Sequence, residues 1–318
     1  MTSPSSSTAR AATDPPFWER GYRDMAVSTM GGPNHDIVEL LDALPPAARV
    51  LDLGCGEGRN AFFLAGRGHA VTAVDISAPG IEKLSALAAG AGLRIETAVA
   101  DISRYAIEGD WDLVMAHGVI DYLERAEWHR LVSEIKAHTV PGGFNAYTCM
   151  LFTDEFPAPP EFRHARFKHS VDQYELAGMY RDWTPVRHDR YVKWDQHPGI
   201  PIHCHPVDKV VARRPGGSGT DPAIERVPIG DVDLSREAFD TIDMGVAAGV
   251  LLNRFGEPAV IDRVTMDGIQ LGVGPQSTVD GYELSLWYYG RAVMYVVNGR
   301  VWGRALYRSD PIRVRFPR

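Results

Sequence analysis

Two groups of residues in this chain have the types and spacing to do chemistry. In VLDLGCGEGRN, Val50 to Asn60, an acid, Asp52, precedes glycines at 54, 56 and 58. Glycines so spaced let the backbone turn tightly after a strand and approach a ligand where a Cβ would clash. The helix that follows offers unpaired N–H groups to an anion. Asp75 and Asp101 close two later apolar runs, so both carboxylates can reach the same ligand from the ends of neighbouring strands. The second group is titratable. IPIHCHP, Ile200 to Pro206, sets His203 and His205 around Cys204, and His117, His197, Tyr122 and Tyr147 stand elsewhere. Neutral imidazoles and phenols suit removal of a proton from an amine, hydroxyl or thiol near pH 7.

No metal site is expected. In an extended strand His203 and His205 share one face and Cys204 takes the other. A catalytic zinc usually needs three protein ligands and a structural one four. His164 or His169 would have to join them, and nothing in the spacing brings either close. Cys55, inside the glycine run, reads as a small filler against the sheet rather than a nucleophile, and Cys149 as the core of a strand. Three widely spaced cysteines, an odd number, fit a reducing cytoplasm better than a disulfide framework.

The elements that must position these groups alternate. DIVELLDAL puts Ile37, Leu40, Leu41 and Leu44 on one helical face before Pro45-Pro46. ARVLDLGCG, HAVTAVDIS, LRIETAVAD, WDLVMAHG and GGFNAYTCML read as strands, separated by helices in GRNAFFLAGRG, in APGIEKLSALAAGAG and around Trp128, Leu131, Val132 and Ile135. Such alternation predicts an α/β fold with a doubly wound, Rossmann-like parallel sheet and a ligand at the carboxyl ends of its strands. After Val210 the texture changes. ARRPGGSGTDPA reads as a linker, followed by one or two helices stopped at Gly256 and Pro258. Then come strands in AVIDRVTM, YELSLWYYG, AVMYVVNG and RVWGRALYR, with hairpin turns at Asp267-Gly268 and Asn298-Gly299. Trp287, Tyr288 and Tyr289 read as core. The expected organisation is a disordered polar leader over 1–16, a catalytic domain over 17–214, a linker over 215–222 and a small α+β accessory domain over 223–318.

Composition excludes several functions. With 45% apolar and 23% charged residues the chain can bury a sizeable core. Its formal charge of -8 gives no electrostatic footprint for nucleic acid or anionic lipid. No run reaches the 18 or so apolar residues of a membrane span. A cytoplasmic protein with no nucleic-acid or membrane partner is expected.

The D-x-G-x-G-x-G run resembles the first motif of class I S-adenosylmethionine-dependent methyltransferases. LDLGCGEGRNAFFLAGRGHAVTAVD, AHTVPGGFNAYTCMLFTDEFP and YELAGMYRDW are similar to the tellurite-resistance (TehB-like) methyltransferase family over roughly residues 17–214. The resemblance implies S-adenosyl-L-methionine as cofactor, held at Asp52, Gly54, Cys55, Gly56 and Asn60. Asp75 would accept the ribose hydroxyls with Ile76 beside it, Asp101 would meet the adenine amino group, and Ile102 would lie beside the ring. His117 would line the methyl-transfer face. The family's aromatic N-terminal lid is matched by PFWERGYRDM, with Phe17, Trp18, Tyr22 and Met25, and His35 stands where the family often carries a histidine.

On the acceptor side this sequence departs from the family. There a His-Arg pair and a later arginine are thought to meet an anionic chalcogen. Here His197 is followed by Pro198, and the next strand offers Ile202, His203 and His205. Without guanidinium groups an oxyanion loses its bidentate partners. The pocket is expected to be lined by His117, Tyr122, Tyr147, His197, His203 and His205, with His197 as the foremost base. The favoured acceptor is an amine nitrogen on a natural-product or modified-peptide intermediate. A tellurium, selenium or sulfur acceptor, NAD-dependent oxidoreduction on the same fold, and a non-catalytic cofactor-binding scaffold are the alternatives. The accessory domain is expected to recognise a small-molecule or peptide substrate or to build a homodimer.

Overall fold

The structure is a computed structural model that describes residues 15–152, 167–168, 171–172, 174–197, 200–217, 221–228, 230, 232, 234–267, 269–270 and 278–316. Apart from Pro15 and Pro16, the leader expected over 1–16 lies outside them, as do His164, His169 and part of the expected linker.

The chain opens with α1 (Phe17–Tyr22) and α2 (His35–Leu40), the latter continued by a 3-10 turn over Leu41–Ala43. Then β1 (Arg49–Leu53), α3 (Arg59–Ala65), β2 (Ala70–Asp75), α4 (Ala78–Gly90), β3 (Ile95–Val99), β4 (Trp111–His117), α5 (Arg125–Ala137) and β5 (Thr139–Met150) follow in the expected alternation. Val50 to Leu53 are all buried, as a central parallel strand covered on both faces requires. Ser77 caps α4 by accepting from the Gly80 N–H at 3.1 Å, and Glu124 and Glu127 form a reciprocal capping box on α5. On α5 the buried Trp128, Leu131, Val132 and Ile135 form one face, as their 3–4 residue spacing predicts.

After α6 (Glu175–Gly178) come two long antiparallel strands, β6 (Thr184–His197) and β7 (Ile200–Arg213). The C-terminal part contains β8 (Ala223–Arg226), α7 (Arg236–Asp240), α8 (Ala248–Phe255), β9 (Val260–Met266), β10 (Ile269–Gln270), β11 (Thr278–Val279), β12 (Tyr282–Tyr289), β13 (Ala292–Val297), β14 (Arg300–Tyr307) and β15 (Ile312–Arg315). One eleven-stranded sheet runs β3-β2-β1-β4-β5-β7-β6-β14-β13-β12-β9. Strands β1 to β5 pair in parallel, and the order reverses between β1 and β4, which opens the ligand crevice at their carboxyl ends.

The sheet continues across the expected linker. β14 pairs antiparallel with β6, Leu306 opposite Val192, so β14, β13, β12 and β9 extend the first sheet rather than building another. Asn298 and Gly299, both at positive φ (47° and 75°), make the turn between β13 and β14. The hairpin expected at Asp267-Gly268 is not a turn between paired neighbours: β9 pairs with β12, β10 pairs with β11, and Gly268 lies outside the described residues. Three clusters make up most of the core. One lies between α2, α3, α4 and the sheet and runs on to Tyr282, Leu286 and Val293; a second packs α5 on the other face; a third packs α7 and α8 on β12 to β14 and buries Trp287 and Tyr289.

Candidate active site

The glycine loop between β1 and α3 has the shape that its sequence demands. Gly54, Gly56 and Gly58 all have positive φ, and a Cβ on them would collide with Val119, the Tyr22 hydroxyl and Leu84. Asp75 fixes the loop. Its Oδ2 accepts from the Gly56 N–H at 2.7 Å and its Oδ1 from the Ser77 N–H at 2.7 Å. Burial pushes the Asp75 carboxyl up, and burial together with the nearby Asp75 pushes Asp52 up to about 7. An acidic cleft of this kind favours a cationic ligand.

The lid is pinned to this loop by buried polar groups. Lys83 on α4 donates to the Asp24 and Val27 carbonyls, both at 2.7 Å, and pairs with Glu57 at 2.7 Å. Glu57 accepts from the Ser28 hydroxyl at 2.6 Å and the Met30 N–H at 2.9 Å, and Asn60 Oδ1 accepts from the Asn34 N–H at 2.9 Å. The Ser77 hydroxyl donates to Glu19 of α1 at 2.5 Å. Tyr22, at the end of α1 in the lid, is buried against Gly56 of the loop, and burial pushes its phenol well up.

These parts enclose a cleft with a cavity volume of about 840 Å³. Asp52, Gly54, Cys55, Gly56, Asn60, Asp75, Ile76, Asp101, Ile102, Tyr22, His117 and Tyr122 all line it. The donor set fits an adenosine: acids at Asp75 and Asp101 for hydroxyl and amino donors, apolar Ile76 and Ile102 for the ring faces, and a loop without Cβ atoms. Cys55 lines the cleft with a thiol that burial pushes well up, so it is a poor nucleophile.

At the end of β4, His117 makes a buried polar contact with α2. Its Nε2 lies 2.9 Å from Asp36 Oδ2, and Asp36 Oδ1 is 2.5 Å from Lys209 Nζ. All three side chains are largely buried. Burial alone would raise the Asp36 carboxyl, but Lys209 and His117 outweigh it and hold the group well below its usual range. Burial lowers the His117 imidazole more than Asp36 raises it, so the ring is neutral near pH 7. An ionised Asp36 only accepts, which places the ring proton on Nε2 and leaves Nδ1 as an acceptor. Nδ1 is buried and has no hydrogen-bond partner among the described residues. An Asp–His pair with a spare acceptor nitrogen in a cleft wall can serve as a general base. Arg187 of β6 holds α2, and with it Asp36, by donating to both Glu39 oxygens at 2.9 and 2.8 Å.

The other histidines are dispersed. His203 and His205 share one face of β7, ring centroids 4.5 Å apart, with Cys204 between them in sequence, as alternation predicts. Of these two only His205 lines the cleft, which His35 of α2 also lines. His197 stands at the tip of the β6–β7 hairpin, four residues or about 13 Å along β6 from the cleft residue Lys193; its side chain lies outside the described residues. Tyr147 does not line the pocket, contrary to expectation. On β5 the alternation sends Thr148 and Met150 to the cleft and buries Tyr147 against Tyr180, hydroxyl to hydroxyl at 2.5 Å. Among the described residues no three His, Cys, Asp or Glu side chains could hold a metal ion, and no helix is long and apolar enough to cross a membrane.

Sequence reasoning missed Asp36, which sits inside an amphipathic helix pattern, and Lys209, Tyr191, Tyr282, Tyr295 and Trp302, which line the cleft from β6, β7 and the C-terminal strands. Their signal was period-2 alternation, as in Tyr191 and Lys193, but nothing local says which sheet face meets a ligand.

Residues 26–195 match the family model for the tellurite resistance protein TehB. Hemagglutinin 1 of Eikenella corrodens is 31% identical over 156 residues, 49% of this chain and 50% of that protein. A probable S-adenosyl-L-methionine-dependent methyltransferase TehB of Haemophilus influenzae is 32% identical over 148 residues, 46% of this chain and 50% of its own. A cypemycin N-terminal methyltransferase of a Streptomyces species is 32% identical over 143 residues, 44% of this chain and 55% of its own. The chain thus spans about half the length of these relatives. The crystal structure of TehB from Haemophilus influenzae superposes with a TM-score of 0.51 at 27% identity, over 57% of this chain and 62% of that one. With its glycine loop, its acids at the ends of β2 and β3 and this match over more than half its length, the chain belongs to the tellurite resistance TehB family, within the S-adenosylmethionine-dependent methyltransferases.

Proposed function

We propose that the protein transfers the methyl group of S-adenosylmethionine to an amine nitrogen of a natural-product or modified-peptide intermediate, with His117 as general base. The observation that carries this reading is the Asp36–His117 contact at 2.9 Å beside the glycine loop, with Nδ1 of that imidazole unpartnered among the described residues. When bound, S-adenosylmethionine would supply a methyl group already activated on a cationic sulfonium, with S-adenosylhomocysteine as the leaving group. The chain's own residues hold the acceptor nitrogen in line and take its proton. That proton passes to His117 Nδ1, Asp36 stabilises the imidazolium formed, and Lys209 keeps Asp36 ionised. The lid, with Tyr22 buried in it, keeps water from the cleft. Asp52, Gly54, Gly56, Asp75 and Asp101 hold the cofactor in this proposal, while Tyr122 and His205 shape the acceptor side. The similarity to a cypemycin N-terminal methyltransferase supports an amine acceptor.

The family match favours a second reading, methyl transfer to a tellurium, selenium or sulfur nucleophile. Incubation with methyl-labelled S-adenosylmethionine separates the two. Label should pass to an amine from a panel of amine-bearing peptides and heterocycles, and the headspace over selenite or tellurite should stay unlabelled. Volatile methylated chalcogens as the sole labelled product would sink the amine reading. Calorimetric binding of S-adenosylhomocysteine without turnover on any acceptor would favour a non-catalytic scaffold, and binding of NAD in its place would remove the protein from methyl transfer altogether.

A further inference from the structure

The family match ends at residue 195, yet much of the cleft wall is built after it. Tyr191 and Lys193 on β6 lie inside the match; beyond it, His205, Val207 and Lys209 on β7, Tyr282 and Leu284 on β12, and Tyr295 and Val297 on β13 line the cleft, and within each strand these residues recur at two-residue spacing. They are therefore one continuous face of the sheet, and β14 adds Trp302 at its rim, 45% exposed. This face bounds the same cleft as His117 and the glycine loop. Its character is aromatic. Tyr191 stacks on Tyr307 at 4.8 Å, and the Lys193 ammonium lies 5.7 Å from the Tyr295 ring centroid. Small oxyanions are held best by short charge-assisted bonds from guanidinium forks; among the described residues the cations lining the cleft are Arg59, whose Nη1 donates to the Met30 carbonyl of the lid at 2.9 Å, Lys168, paired with Glu124 at 2.8 Å, Lys193, against the Tyr295 ring, and Lys209, paired with Asp36 at 2.5 Å. Ring faces and aliphatic side chains instead reward a flat apolar body. A cavity of about 840 Å³ lies within the range that takes drug-sized ligands.

We propose that Tyr191, Tyr282, Leu284, Tyr295 and Val297 form the acceptor subsite, and that it takes an amine carried on a flat, apolar ring system while giving a small inorganic oxyanion no purchase. This inference rests on the methyltransferase reading above and deepens it. The C-terminal strands then set the specificity that the shared family core leaves open. The positive charge of a bound sulfonium and of Lys209 would also favour the neutral amine, the form that can attack.

Tryptamine serves as the probe, titrated calorimetrically into the full-length protein saturated with S-adenosylhomocysteine. Tyr295→Leu, which removes a ring, should weaken tryptamine about ten-fold, Tyr295→Phe should stay within about three-fold, and Val297→Trp, which fills the subsite, should abolish binding. S-adenosylhomocysteine affinity should stay within about two-fold in all three, because the substitutions lie away from the glycine loop. Selenite should neither bind nor compete. Absence of tryptamine binding to the wild type, or equal binding by wild type, Tyr295→Leu and Val297→Trp, would overturn the subsite while leaving the methyltransferase reading intact. A wild type that fails to bind S-adenosylhomocysteine would overturn both.

Discussion

At the scale of single residues, the chemistry turns on how burial and charge divide the titratable groups. His117 must be neutral to act as a base, and burial already lowers its pKa below the usual 6.5. The rate should therefore rise with pH along an acid limb centred below that value and then level off. Asp36 raises the same pKa, so Asp36→Asn should move the limb further toward acid while lowering the plateau. His117→Gln should lower kcat by about 10²–10⁴-fold, the usual range for a general base. Unchanged kcat in His117→Gln, or an acid limb that Asp36→Asn leaves in place, would remove the pair from the mechanism. Asp52 gives a second pH signature. Its carboxyl is pushed up to about 7, so at pH 6 to 7 a cationic ligand must displace its proton. Titration of S-adenosylmethionine in two buffers of different ionisation enthalpy should show proton release at pH 6.5 that Asp52→Asn abolishes. The same sign governs stability: with the folded pKa above the unfolded one, Asp52 favours the apo fold least above about pH 7 and regains its contribution as pH falls toward 4. Asp52, Asp75, Asp101 and His117 were legible in sequence because each stands at a strand end next to a glycine turn or an apolar run. Asp36 was not, since a helical acid directly before an apolar face is ordinary and its partners lie 81 and 173 residues away.

At the scale of elements, the lid is held by a buried charge pair rather than by apolar packing alone. Lys83 satisfies two lid carbonyls and pairs with Glu57, which in turn receives Ser28 and Met30. Removing one member of such a pair leaves the other charge buried and uncompensated. Lys83→Met should therefore destabilise the protein by about 3–5 kcal/mol in denaturant titrations and weaken cofactor binding, because residues 24–31 lose their anchor. Lys83→Met combined with Glu57→Gln should recover part of the loss, since the stranded carboxylate is then gone. A double variant no more stable than Lys83→Met would mean that the lid is held by other contacts. The aromatic segment Phe17 to Met25 was readable as a lid through its resemblance to the family, whereas its fastening to Lys83 was not. In sequence Lys83 sits among exposed-looking positions of α4, and its near-complete burial depends on a loop more than fifty residues earlier.

At the scale of the whole molecule, the parallel half of the fold was legible because strands and helices alternate with period 2 and period 3.6, and such a pattern has few right-handed solutions. The C-terminal half was read correctly as strands and short helices but not in its attachment. Strand patterns show which residues pair outward, not which edge receives them, and the Gly/Pro-rich stretch after Arg213 looks like a boundary whether or not the sheet continues past it. We propose that 215–222 joins a catalytic core to an extension that completes it rather than to a domain that folds alone. β6 finds its outer partner in β14, and one apolar cluster contains Ile37, Phe62 and Leu84 together with Tyr282, Leu286 and Val293. The extension also reaches the lid: a Cβ at Gly32 would collide with the Tyr282 hydroxyl, and one at Gly31 would lie 3.3 Å from the Trp302 ring. Truncation after residue 218 would leave β6 as a long unpaired edge and uncover the apolar face beneath α2. The full chain should accordingly melt in a single calorimetric transition. The truncated chain should aggregate or bind a hydrophobic dye, and it should lose S-adenosylhomocysteine binding along with the lid contacts. Two separate transitions in the full chain, or a soluble truncated protein that binds S-adenosylhomocysteine with wild-type affinity, would restore the independent accessory domain and leave β12 to β14 a substrate-binding role without a structural one.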